Sequence, residues 1–126
     1  MDIDIVTIPH SAQRYPTVGD WILPDNDNTL TIYISDMGNE DYEFLVGIHE
    51  LIEAYLCKKR GITEESVSAF DIAFEEGRIA GNFDEPGNYP LAPYNKEHLF
   101  ASEIEKQLAK ELNVNWEEYD NVVNSL

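Results

Sequence analysis

Residues 44–56 read FLVGIHELIEAYL, and the fold turns on how this stretch is taken. Its apolar residues recur at helical spacing, and the run is too long for a buried strand. It therefore reads as an interior helix, interrupted by His49, Glu50 and Glu53. At about 100° per residue, Phe44, Leu45, Ile48, Leu51, Ile52, Tyr55 and Leu56 share one broad apolar arc. His49 lies at a margin of that arc, with Glu53 one turn above it. Glu50 is placed further toward the polar side, and Cys57 lies above Glu53.

Working outward, Asn39 or Asp41 caps this helix and Gly61 stops it after Arg60. Thr63 caps a second helix ending at Glu76, before Gly77. A third spans about Lys96 to Leu112, and Asn115 caps a short terminal helix, WEEYDNVVNS. Before the helices, DIDIVTI alternates as a strand does. WIL and TLTIYIS flank the turn-forming run PDNDN and form a hairpin with a longer loop. GNFDEPGNYPLAPY, rich in proline and glycine, is a loop. Strands first and helices afterwards predict an α+β fold: a small N-terminal antiparallel sheet, strand plus hairpin, followed by three to four helices.

The 126 residues fit a single domain, spanning 1–126. Net charge is −17, from 25 acids against 8 bases, so direct nucleic-acid binding is not expected. One cysteine excludes an internal disulfide and fits a reducing compartment. No apolar run approaches the roughly 20 residues of a membrane span. The acidic start, MDIDIVTIPH, differs from a signal peptide. The expectation is a cytoplasmic protein.

The polar residues of the first helix carry the chemistry. Side chains four apart on a helix stand about 6 Å apart at Cβ, so His49 and Glu53 can hold one ion at about 2.0–2.2 Å. Glu50, adjacent but off the metal, can act as base toward water acidified by that ion. In the third helix Ala101, Ile104, Leu108 and Leu112 face inward. Extending that stripe back one turn reaches Glu97, with His98 at its edge, as further ligands. In the second helix Asp71 falls beside the stripe of Val67, Phe70 and Phe74.

Structural roles compete with these at each position. His49 suits a hydrogen-bonded core histidine, Glu53 a surface pair with Lys58 or Lys59, and Asp71 a salt bridge to Arg14 or Arg78. Cys57 reads as a small buried hydrophobe. Together, however, H-E-x-x-E with a distant E-H pair points to a metal site.

TLTIYIS followed by the HELIE helix, about Thr29 to Arg60, resembles the edge strand and active-site helix of zincin metallopeptidases. The resemblance implies His49 as first zinc ligand, Glu50 as general base and Glu53 in the place usually held by a second histidine. The third ligand is fixed by no motif; His98 is the first choice and Glu97 the next. With GDW, HELIEAYLCKKRGI, APY, EH and NVNWEEY, the whole chain is also similar to small proteins of phages and prophages. That implies work in a host bacterial cytoplasm.

The leading expectation is a zinc-binding, zincin-like protein hydrolysing peptide or amide bonds. A second is a Mg²⁺-dependent enzyme resembling the helical nucleotide pyrophosphatases, using Glu50, Glu53, Asp71 and Glu75. A third is an acidic phage accessory protein that binds a host protein or mimics DNA.

Overall fold

The computed structural model describes residues 1–24, 26–79, 82 and 84–126. The alternating N-terminal stretch forms strand β1 (Asp2–Ile8). The hairpin is β2 (Gly19–Ile22) and β3 (Thr29–Ser35), paired antiparallel with Trp21 opposite Ile32. Its turn, PDNDN, includes Asp25, which lies outside the described residues.

The sheet is mixed, which corrects the antiparallel expectation. β1 runs parallel to β3, from Asp2 opposite Thr29 to Ile8 opposite Ser35, and the strand order is β1-β3-β2. The cause is the connection after β1. A tight turn would place β2 beside β1, but the long loop 9–18 carries the chain across the end of β3 to its far edge. Three contacts pin that loop. The Ser35 N–H donates to the Val18 carbonyl (2.8 Å), the Gln13 amide donates to the Tyr33 carbonyl (3.3 Å), and His10 Nδ1 lies 2.8 Å from Ser35 Oγ. This Ser–His pair resembles a nucleophile with its base, yet Ser35 is fully buried and serves as an anchor.

The helices begin and end where local chemistry directs. The Asn39 side chain accepts the Tyr42 N–H at the start of α1 (Glu40–Lys59), and Gly61 takes a left-handed φ of 72° just past its end. Thr63 caps α2 (Glu64–Glu76) in the same way. A loop containing one 3-10 turn (Pro86–Asn88) leads to α3 (Asn95–Glu111). Gly81 and Phe83, which open that loop, are outside the described residues. Asn115 caps α4 (Trp116–Asn124).

α1 lies across β2 and β3 and packs along α3. The core sits between it and the sheet: Leu30, Ile32 and Ile34 from β3, Trp21 from β2, and Leu45, Val46 and Ala54 from α1. The rotation of α1 differs from the expected one. Phe44 and Tyr55, placed in the apolar arc, are each 51% exposed, whereas His49, Glu53 and Cys57 are buried. Close approach explains the reversal. Small residues line the sheet-facing side, and a Cβ at Gly47 would stand 2.9 Å from Ile34 Cδ1. Phe44 and Tyr55 are left on the outer side, and the buried face, which also carries Leu45 and Val46, takes in His49 and Glu53. Among the described residues no helix is long and apolar enough to cross a membrane.

Candidate metal centre

Two helices build the centre. α1 presents His49 and Glu53 one turn apart, and α3 presents His98 across the α1–α3 contact. All three side chains are buried. His49 Nε2 lies 3.1 Å from Glu53 Oε2 and 3.2 Å from His98 Nδ1, and His98 Nδ1 lies 3.0 Å from that same Glu53 oxygen. Three potential ligand atoms thus form a nearly equilateral triangle. An ion at about 2.0–2.1 Å from each would stand about 1 Å above its plane, with angles of about 100°, leaving a fourth position open.

What surrounds the triangle orients it. His49 Nδ1 lies 2.7 Å from Glu105 Oε1, and the Tyr119 hydroxyl donates to Glu105 Oε2 at 2.6 Å. In the neutral ring this puts the proton on Nδ1 and turns the Nε2 lone pair to the triangle. His98 is arranged in mirror sense: Nε2 lies 2.9 Å from Glu85 Oε2, although out of line for a hydrogen bond, and Nδ1 faces inward. The Trp21 indole N–H donates to Glu53 Oε1 at 3.3 Å, leaving Oε2 for the triangle. This donor set, two imidazole nitrogens and one carboxylate oxygen, suits zinc.

The same carboxylates govern protonation. Burial opposes charge on His49, but hydrogen bonds to Glu105 and Glu53 override it and hold its pKa well above the ordinary value. Burial likewise opposes charge on His98, and Glu53 and Glu85 lift it to about 9. Burial raises Glu53, but the two imidazoles outweigh that and draw it down to about 2. Protons therefore occupy the centre as competitors of a metal.

Glu50 is half-buried and lines the adjoining cavity of about 380 Å³. Among the described residues it has no hydrogen-bond partner, and a Cβ at Gly19 would stand 2.7 Å from its Cγ. Burial, then the negative charge of Glu53, pushes its pKa well above the carboxylate range.

Of the expected ligands, His49, Glu53 and His98 are brought together and Glu97 is not. Glu97 is buried against Arg60, whose Nη1 is 2.5 Å from its Oε2. One residue of α3 rotation, about 100°, separates it from His98. Glu53 faces the interior rather than Lys58 or Lys59. Asp71 meets neither Arg14 nor Arg78; it accepts hydrogen bonds from Tyr94 and, at 3.1 Å, from Tyr15. Cys57 is fully buried in the core, as expected. Glu105 is the residue that the sequence reading missed. Its signal was present, since His98, Ala101, Glu105 and Ala109 follow helical spacing and are all buried. Glu85, in a loop, carried no such periodicity.

No family model, curated protein or solved structure matches the chain.

Proposed function

We propose that this protein binds zinc through His49 Nε2, Glu53 Oε2 and His98 Nδ1, and hydrolyses peptide or amide bonds with Glu50 as general base. The observation that carries the reading is the triangle itself, with both imidazoles backed by carboxylates on their outer nitrogens. Zinc supplies Lewis-acid polarisation of a carbonyl and lowers the pKa of water toward about 7. Glu50 contributes a partner-free carboxylate whose raised proton affinity suits it to take up a proton and return it to a leaving amine. Trp21, Glu105 and Tyr119 hold the donor atoms in place. Zincin-like ancestry and a phage origin belong to the same proposal, as does a bacterial cytoplasmic setting, and they rest on the sequence resemblance alone.

Two observations weigh against the magnesium reading. Two of the three donor atoms are imidazole nitrogens, which magnesium disfavours. Glu75 is held by Arg78 and Asp71 by tyrosines, so they form no second acidic pair for an ion. The host-protein reading keeps one supporting observation: Ile3, Ile5, Phe44 and Tyr55 are all exposed, on β1 and the outer face of α1.

The test is hydrolysis of a peptide mixture by zinc-loaded protein. The proposal expects cleavage that a chelator abolishes and Glu50→Gln reduces by at least about 100-fold. Cleavage unchanged in Glu50→Gln would refute its role as base. Zinc binding with no hydrolysis of any peptide or amide would reduce the proposal to a metal-binding protein.

A further inference from the structure

The cavity beside the triangle has a charge pattern that bears on its occupant. Eight acidic side chains line it against a single arginine, Arg78. Most of these acids have a counter-charge. Arg14 holds Asp20 (2.6 Å), Arg78 holds Glu75 (2.7 Å), and the imidazoles face Glu53, Glu85 and Glu105. Even with a doubly charged ion on the triangle, negative charge remains in excess. Phosphates and other anions are repelled from such a space.

Asp71 stands apart from its neighbours. It is 91% buried by its 9% exposure, lines the cavity, and has no basic partner among the described residues. Its hydrogen bonds come from two neutral phenols, Tyr94 and Tyr15. A buried carboxylate without a counter-charge is costly. The strain registers in its proton affinity: burial, with the negative charges of Glu53 and Asp20, outweighs the tyrosine bonds and lifts its pKa to about 7. Glu50, the half-buried cavity acid without a counter-charge, serves the chemistry proposed above. Asp84 is exposed and accepts from Tyr89. Asp71 is therefore the buried acid left to recognise a ligand.

We propose that this cavity selects peptides by a cationic side chain, lysine or arginine, with Asp71 as the counter-charge. This rests on the reading of the triangle as a hydrolytic zinc centre for the word substrate; the cation site itself stands on Asp71 and the cavity. Tyr15 and Tyr94 hold one Asp71 carboxylate oxygen each, and both line the cavity, where aromatic side chains suit the stem of a lysine or the plane of a guanidinium.

The probes are acetyl-arginine amide and its neutral isostere, acetyl-citrulline amide, titrated by NMR into both zinc-loaded and chelator-stripped protein. The arginine probe is expected to bind at least about tenfold tighter than citrulline, with shifts at Tyr15, Asp71 and Tyr94. In Asp71→Asn, which keeps the shape and one acceptor for the tyrosines, the preference is expected to vanish. Equal binding of the two probes by the wild-type protein overturns the proposal and needs no variant. So does a preference that survives in Asp71→Asn, which would place the cation on some other acid. Arginine selectivity in stripped protein that takes up no zinc would sink the metal reading and leave the cation site standing.

Discussion

Replacing Glu105 offers a quantitative probe of how the centre is held. Its carboxylate accepts from His49 Nδ1 at 2.7 Å and from the Tyr119 hydroxyl at 2.6 Å, both buried. Glu105→Gln keeps the shape and a neutral acceptor but removes the charge. A charge-assisted hydrogen bond contributes about 1.5–3 kcal/mol against about 0.5–1.5 for a neutral one, so roughly 1–2 kcal/mol of ligand orientation is lost. That corresponds to zinc binding about 5- to 30-fold weaker. Glu105→Ala is worse, because it leaves the Nδ1–H without a partner and frees the ring; about 100-fold is expected. Tyr119→Phe, one bond further out, should cost least. Glu105 also favours a proton on His49, which masks part of the loss near neutrality. The affinities are therefore compared at pH 9, by competition with a chromophoric chelator. Both Glu105 variants binding within about twofold of wild type would refute the tautomer argument, since the expected loss is several times larger.

Other consequences follow from the same geometry. Gly87→Ala would put a Cβ 2.3 Å from His98 Cγ and 2.5 Å from its Nδ1, so the ring must move. Zinc affinity should fall at least about tenfold, while Gly77→Ala, whose nearest neighbours are 3.6 Å away or more, should bind like wild type. Isothermal titration of both variants decides this. Protons must leave before zinc enters, and both imidazoles have raised pKa values, His98 to about 9. Apparent affinity should thus climb from pH 6 to pH 9 rather than level off near 6.5, by up to about tenfold per pH unit for each proton displaced. A flat profile above pH 7 would show that the imidazoles were already free.

The helical part of the fold was legible because its signals are local. Asn39, Thr63 and Asn115 each cap a helix through their own side chain, and Gly61 ends one with its own backbone. His49 and Glu53 were legible for a related reason, since a spacing of four residues fixes their proximity on any helix. What failed depended on partners distant in sequence. The parallel pairing of β1 is decided by where a long loop lands. The rotation of α1 is decided by Gly47, which admits Ile34 of the sheet closely, and Phe44 and Tyr55 are left outside. The apolar arc of a helix does not by itself declare its buried face. On α3, following the larger residues Ile104 and Leu108 back one turn sets Glu97 on the stripe and His98 only at its edge. The buried seam instead runs through His98, Ala101, Glu105 and Ala109, where small residues make room for the two polar ones.

Zinc-edge anomalous diffraction from crystals grown with one equivalent of zinc tests the coordination geometry most directly. A single strong peak is expected about 2.0–2.1 Å from His49 Nε2, Glu53 Oε2 and His98 Nδ1, standing on the cavity side of their plane. A peak on surface carboxylates alone, or a triangle that stays metal-free in the presence of zinc, would contradict it.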